Sequence, residues 1–340
     1  MPFVQRYDQA SGKYKVYFDI SLSERKYLIQ RYNYLFQKEN ILSLFNTIIM
    51  QFAIFGNPSA AKANLAEHNL FEFIHSMGDT ICIESDYYEY LTKVLACNVN
   101  CTSVFKDNNF EADAIISIGG DGTFLRTASR TADKGIPMIG INTGRLGFMA
   151  DINIDNTKQA LQLIHDGKYT IQKRSMLEVT MNNIPANCSR YALNDIAILK
   201  HDVSSMISIK ASVNNEPLVT YMADGLVIAT PTGSTAYSLS VGGPIVFPET
   251  NIITLTPVAP HSLTMRPLVL NNDQTISLSV TSRSHNFLVS IDGNSFSCPE
   301  GTDIEIKKAP FHINVMKPEG YGFFSTLRDK MMWGADNREN

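Results

Sequence analysis

What the chain is short of narrows its role first. It has no excess of positive charge: 29 lysines and arginines stand against 33 acids, for a net charge of -4. A protein whose main partner is nucleic acid draws on a basic excess to neutralise phosphates, so nucleic acid is not expected as a partner, although a local basic pocket remains compatible. Cysteine is sparse and odd in number, with 5 residues (Cys82, Cys97, Cys101, Cys188 and Cys298) scattered through 340. Only Cys97 and Cys101 lie close together, and zinc would need two more ligands that no neighbouring histidine or cysteine supplies. The five are read as reduced packing thiols, as in a cytoplasmic protein. Long apolar runs are missing too. Ile41 to Phe55 is the most apolar stretch, but Asn46 and Gln51 interrupt it, and it is shorter than the ~20 residues a membrane span needs. No membrane association is expected.

Three signatures are also absent. Nothing reads G-x-x-x-x-G-K-S/T, so the chain has no Walker A loop. Nothing reads G-x-G-x-x-G, because Gly119-Gly120-Asp121-Gly122 puts a carboxylate where that fingerprint needs a small residue. A G-x-S-x-G nucleophile elbow is missing as well. The histidines, among them His201, His261 and His285, have no spacing that builds a metal site.

What remains is a chain with 44% apolar and 18% charged residues, long enough to bury two cores of ordinary size. From Met50 onward, strand-like and helix-like runs alternate. Met50 to Phe55 is an apolar strand ending in Gly56-Asn57. Leu65, Leu70, Phe73, Ile74 and Met77 recur at helical spacing, with Gly78 as a stop. Thr80 to Glu84, Ala112 to Ile118 and Pro137 to Asn142 read as further strands. This alternation predicts a Rossmann-like parallel α/β domain over 50–149, with ligands at the carboxyl ends of its strands. After a helix over Asn156 to Asp166 the chain turns into short alternating runs separated by turn signals, among them Asn214-Asn215. That pattern predicts an all-β, sandwich-like domain over 150–317. The tail, 318–338, is expected to rejoin the first domain. Residues 1–49 differ from both. They are polar and aromatic-rich, with a helix expected over about Glu24 to Gln37, and are read as an extension preceding a start at Met50.

The densest chemistry lies at Gly119-Gly120-Asp121-Gly122-Thr123. This GGDGT stretch follows the β-branched run Ala114 to Ile118 and precedes a helical run closed by Gly135, so it sits on a strand-to-helix turn. Backbone N–H groups and the helix dipole converge there, and glycine lets a ligand approach closely. A lone carboxylate among amide donors points to chemistry on a hydroxyl or a metal. A second glycine turn, Thr143 to Phe148, ends the next strand and is expected to face the same crevice. A third dense stretch runs from Asp224-Gly225 through Pro231-Thr232-Gly233-Ser234-Thr235-Ala236-Tyr237-Ser238-Leu239-Ser240 to Gly242-Gly243-Pro244. Its hydroxyls suit phosphate or ribose, although a Ser/Thr-rich cap has the same composition. Asn194-Asp195 can hold two ribose hydroxyls or be a turn pair. Asp292-Gly293-Asn294 is most simply a hairpin turn. Arg126 could meet a phosphate or solvate a helix face. Together these residues suggest phosphoryl transfer to a hydroxyl, with Asp121 taking the proton or holding magnesium.

Taken in this order, the GGDGT turn, Asn142 to Phe148, Asn194-Asp195, Asp224 to Ser240, Gly242-Gly243-Pro244, Pro257 to Leu263 and Arg266-Pro267 resemble the NAD kinase family, bacterial type. The first motif alone is shared with diacylglycerol, sphingosine and related lipid kinases and with phosphofructokinases. The resemblance covers about Met50 to Trp333. It implies a kinase that phosphorylates the adenosine ribose 2′-hydroxyl of NAD to give NADP, with ATP as donor and Mg2+ as cofactor; some members also accept polyphosphate. It also implies roles for individual residues. Asp121 would be the general base and, with Gly122, would contact the dinucleotide. Arg126, Asn194, Asp195, Asp224, Thr232, Thr235, Ala236, Tyr237, Ser238, Leu239, Ser240 and Asn294 would bind it. Asp195 is one carbon shorter than the family's Glu, and Asn294 stands where some relatives have Gln. A homodimer or homotetramer is implied. A lipid kinase sharing the GGDGT turn and a non-catalytic NAD sensor are the alternatives.

Overall fold

The computed structural model describes residues 3–8, 13–18, 49–58, 64–144, 146–182, 184–186, 188–202 and 205–334. The helix expected over Glu24 to Gln37 lies outside them. Near the N-terminus, where the sequence pattern shows no strand–helix alternation, Phe3–Asp8 and Lys13–Phe18 pair as an antiparallel hairpin.

Five parallel strands follow from Gln51, with a further two-residue strand, Ile152–Asn153, paired parallel to the last of them. Across the sheet they run Ser103–Phe105, Thr80–Glu84, Gln51–Gly56, Ala114–Gly119 and Met138–Asn142. Helices cover both faces, which is why Ala114–Gly119 is buried at every position. The two-residue period divides the apolar side chains. Phe52, Ile54, Ile116 and Ile118 pack with Leu70 and Ile74 of the helix Asn64–Ser76 and with Leu161 and Ile164 of the helix Thr157–His165. Ala53, Phe55 and Ile115 face Phe124 and Ala128 of the helix Asp121–Thr131. The strand order reverses between Gln51–Gly56 and Ala114–Gly119, whose carboxyl ends are Gly56 and Gly119. A doubly wound sheet binds ligands at such a switch point, and the GGDGT turn stands on it.

The second half is antiparallel. Six strands form one sheet in the order Leu268–Asn271, Ile252–Val258, Gly225–Ala229, Asp195–Lys200, Asn286–Ile291 and Asn294–Pro299. Facing it are Glu216–Ala223, Ile207–Val213, Ile276–Thr281 and the start of Ile304–Pro318. The core between them is aliphatic, with Ile196, Ile228, Leu255 and Val289 from one sheet meeting Ile209, Leu278, Val280 and Ile306 from the other. The layering is that of a sandwich, but one layer does not end at the domain edge. Ile304–Pro318 is a single 15-residue strand where the sequence pattern showed two short runs. It pairs with Tyr169–Thr180 along its length, shifts register between Lys308 and His312, and reaches the parallel sheet at Val315 beside Met138. Pro310 sits in that irregularity, where a residue without an N–H is tolerated. Among the described residues no helix is long and apolar enough to cross a membrane, and all five cysteines are free thiols.

Candidate functional site

Asp121 is the first residue of the helix Asp121–Thr131, with extended Gly120 as its cap. An acid at this position is favoured by the helix dipole. Its carboxylate is held from the other side of the crevice by the second glycine turn. Phe148 N–H donates to Oδ2 at 2.9 Å, while Met149 and Ala150 N–H both donate to Oδ1 at 3.0 Å. A side chain on Gly147 would stand 2.1 Å from that Oδ1, so the turn closes over the acid only with glycine there. Asn142 braces the turn, its Oδ1 accepting Gly144 N–H at 2.6 Å. The two glycine turns therefore meet as one unit around Asp121. Gly120 and Gly122 are open: a Cβ added to either would touch nothing within 4 Å, which leaves room for a ligand over the helix N-terminus. Arg126 reaches back across the switch point and donates to the Gly56 carbonyl at 2.6 Å.

The C-terminal helix Phe323–Met331 arrives at the same place. Lys330 Nζ lies 3.5 Å from Asp121 Oδ2 and 4.5 Å from the centre of the Phe148 ring. Phe323 packs against Phe148 and Phe247, and Phe324 stacks on Phe247. An apolar groove opens between this helix and the segment after Leu239, lined by Ile245, Phe247, Phe324 and Trp333.

Asn194 and Asp195 come from the start of the strand Asp195–Lys200. Leu193, just before them, is buried in the same apolar cluster as Phe124 and Met149, which flank the Asp121 unit. Their backbone is held by a residue that the sequence disguises as a plain turn. Asp292 does begin a hairpin turn, with φ 47. Its carboxyl also accepts N–H from Leu193 and Asn194 at 2.7 Å and from Asp195 at 3.1 Å. Burial pushes the Asp195 carboxyl up to about 7, helped by the Asp292 charge and opposed by the Tyr237 N–H that it accepts. Burial likewise raises Asp292 to about 6, against its three amide donors. Nothing but the Asp-Gly dipeptide marks Asp292 in the sequence, and that dipeptide signals only the turn.

The hydroxyl-rich stretch folds as a 3-10 turn, Thr232–Thr235, followed by one helical turn, Tyr237–Ser240. It sits directly on Asn194: a Cβ on Gly233 would fall 2.0 Å from the Asn194 carbonyl oxygen. Thr230 stitches the contact, donating to the Leu193 carbonyl at 2.5 Å and accepting Gly233 N–H at 3.1 Å. The hydroxyls divide into two kinds. Ser234 is tied to Pro231 and Val246, and Ser238 to Thr256, all internally. Asn194 Oδ1 and Thr232 Oγ1, by contrast, are buried without a partner, and buried polar atoms need one. Thr235, Ala236 and Leu239 are half-buried, while Tyr237 and Ser240 are exposed.

Asp224 and Asn294 lie farther out. Asp224 pairs with Lys200 at 2.8 Å. It stands just past the far end of the ladder that pairs Asp195 with Ala229 and Leu199 with Gly225, roughly 17 Å along the strands. Its charge still helps raise the Tyr237 phenol, after burial and Asp195. Asn294 is exposed at the start of its strand.

The donors near Asp121 offer no metal cage. Among the described residues, no group of three or more His, Cys, Asp or Glu side chains could hold an ion. One carboxylate with little open capacity suits an ion carried by phosphates, as Mg2+ commonly is.

Comparison with known proteins bears on the chain as a whole. Residues 52–169 match the model of the ATP-NAD kinase N-terminal domain, and residues 193–317 that of the ATP-NAD kinase C-terminal domain. An NAD kinase of Bacteroides fragilis is 52% identical over 289 residues, covering 85% of this chain and 100% of that protein. One from Porphyromonas gingivalis is 42% identical over 283 residues, covering 83% and 98%. Among solved structures, an NAD kinase from Archaeoglobus fulgidus in complex with ATP aligns with TM-score 0.63 and 25% identity, covering 83% of this chain and 99% of that one. Yeast NADH kinase complexed with NADH aligns with TM-score 0.75 and 23% identity, covering 86% and 90%; at that identity the likeness concerns the fold.

Proposed function

The chain belongs to the NAD kinase family, and from that premise we propose that it transfers the terminal phosphoryl group of ATP to the adenosine ribose 2′-hydroxyl of NAD, with Asp121 as the general base. The observation that carries this reading is the Asp121 carboxylate, fixed by three backbone amides at the switch point and flanked by room above Gly120 and Gly122. A carboxylate so held has its orientation set in advance, which is what a base acting on one hydroxyl requires.

Other residues then take up the dinucleotide. The orphaned Asn194 Oδ1 and Thr232 Oγ1, with the Asp195 carboxyl beside Tyr237, would give a polar site suited to sugar hydroxyls. The backbone of Thr235 to Ser240 lines its rim. Ser238 contributes by holding that rim in place, being buried and bonded to Thr256. Arg126 acts by anchoring the helix to Gly56. Asp224 and Asn294, at the outer margins of this face, contribute where chains assemble as a homodimer or homotetramer. Magnesium would be held mainly by the donor's phosphates next to Asp121, neutralising charge on them. The setting is a cytoplasmic one, in keeping with five free thiols.

The deciding experiment incubates the full chain with ATP, Mg2+ and NAD and measures NADP. Parallel arms with NADH, polyphosphate and diacylglycerol identify acceptor and donor. Formation of NADP from ATP and NAD supports the reading. Phosphorylation of diacylglycerol alone, or NAD binding without turnover, would replace it with a lipid kinase or a non-catalytic sensor.

A further inference from the structure

We propose that Lys330 is a further catalytic residue, its ammonium holding the phosphoryl group in transfer beside Asp121; the inference rests on the phosphotransferase reading above. It follows from how the Asp121 oxygens are occupied. A carboxylate offers about four lone-pair positions. Oδ1 accepts Met149 and Ala150 N–H, and Oδ2 accepts Phe148 N–H. One position on Oδ2 remains, and Lys330 Nζ faces that oxygen at 3.5 Å. An acceptor hydroxyl giving its proton to Asp121 must approach the same Oδ2, to about 3 Å. The incoming phosphorus must then stand about 3–3.5 Å from the hydroxyl oxygen. Lys330 is the neighbour of both.

Among the described residues, three other cations near the turn are committed elsewhere. Arg126 is bonded to the Gly56 carbonyl. Arg130 is paired with Glu84 and bonded to the Lys106 carbonyl. Lys317 is buried against Asp151 at 2.5 Å. Lys330 is one-third exposed, and so is its partner carboxylate, at 33% and 29%. A pair this exposed adds little to stability, and a four-carbon stem lets the ammonium swing. The base of the helix is fixed while its end reaches the crevice: Thr326 and Leu327 are buried, and Phe323 packs on Phe148 and Phe247.

In the transfer, the 2′-oxygen forms its bond to the γ-phosphorus as the bridging P–O bond breaks. The bond electrons leave with ADP. The hydroxyl proton passes to Asp121 and then to solvent. Lys330 keeps its protons throughout, releases Asp121 to the hydroxyl, and balances the negative charge of the phosphoryl oxygens.

The test compares the full chain with Lys330→Met and Lys330→Arg. With ATP, Mg2+ and NAD, Lys330→Met should lower kcat about a hundredfold or more while KM for NAD moves less than about threefold. Lys330→Arg should recover part of the loss, since it keeps the charge. NAD should raise the melting temperature of Lys330→Met as it does that of wild type. ADP with beryllium fluoride, a mimic of the transferring group, should stabilise wild type and fail to stabilise Lys330→Met. A kcat for Lys330→Met within about threefold of wild type, or equal stabilisation by the mimic, would overturn the assignment. A wild-type chain that makes no NADP would instead overturn the reading beneath it.

Discussion

The carboxyl of Asp292 accepts the backbone N–H of Asp195 at 3.1 Å, and its charge helps to raise the Asp195 carboxyl. One acid is thus the pedestal of the other. Asp195 is buried and Asp292 half-buried, and desolvation raises them to about 7 and about 6, well above the usual aspartate value of about 4. The site carries this strain where the pocket for sugar hydroxyls is expected, and a ribose donating to the ionised acids would relieve it.

That relationship predicts a pH dependence whose sign is fixed. A carboxyl raised in the folded state binds protons that the unfolded chain has already released. Its stabilising contribution is complete below about pH 4 and lost as pH rises through about 7. Ligand-free protein should therefore lose thermal stability between pH 5 and 7.5, and Asp195→Asn should flatten that slope. NAD affinity should run the other way, rising over the same window as the acid ionises to accept ribose hydroxyls. Calorimetric titration with NAD at several pH values checks this. An affinity that is flat with pH in wild type would detach Asp195 from the ligand.

Asp121→Asn separates geometry from basicity. The amide keeps an acceptor oxygen but turns an NH2 group toward a backbone donor, so with its oxygen in the Oδ1 position one of the three cradle bonds is lost. We expect folding and NAD binding near wild type with kcat reduced by about 10²–10⁴-fold. Asp121→Ala should be equally inactive and should loosen the 144–150 turn, seen as faster hydrogen exchange at Phe148 to Ala150. An Asn variant with near wild-type kcat would remove Asp121 as the base.

Two glycines are predicted to be irreplaceable for different reasons. In Gly147→Ala the new methyl meets Asp121 Oδ1 at 2.1 Å, the end of a side chain. It should displace the base at a stability cost of about 1–3 kcal/mol, so activity falls more than stability. In Gly233→Ala the methyl meets the Asn194 backbone at 2.0–2.5 Å. Backbone cannot step aside, so this variant should lose stability and NAD affinity together. Urea unfolding alongside NAD titration distinguishes the two patterns.

How much of this was legible in the sequence depended on range. Ala114 to Ile118 is β-branched, and its neighbours have helical spacing, so strand, turn and helix could be read locally. The GGDGT turn and Asn194-Asp195 could be read the same way. Contacts set by tertiary register could not. Asp292 lies 97 residues from Asp195, and its Asp-Gly dipeptide advertises only a turn. Lys330 follows Phe323 and Phe324 in a tail of mixed spacing. Its meeting with Asp121 depends on where aromatic packing sets the helix. The strand Ile304–Pro318 looked like two runs because Pro310 and a register shift interrupt its period, yet it runs continuously from the antiparallel layer to the parallel sheet.

Behind the Asp121 cradle lies a charge cluster that makes a sharp stability prediction. Asp151 directly follows Ala150, whose N–H holds Asp121. Lys317 meets Asp151 at 2.5 Å, with side chains only 5% and 4% exposed. Arg174 is buried nearby, and burial lowers its guanidinium to about 10 against the pull of Asp151. Asp151 Oδ1 and Arg174 Nε have no partner, so the cluster is incompletely satisfied. Removing Asp151 strands Lys317 and Arg174 together as uncompensated buried charges, a loss that costs about 3–5 kcal/mol, whereas removing Lys317 leaves Arg174 to balance Asp151. Asp151→Leu should be strongly destabilising in urea and Lys317→Met less so, and the double variant should be more stable than Asp151→Leu alone, because it removes the repulsion between Lys317 and Arg174. Its turnover should nonetheless stay below wild type, because the hydrogen-bonding turn that carries Phe148 to Ala150 has lost its anchor. A double variant with wild-type kcat would show that the pair serves stability alone.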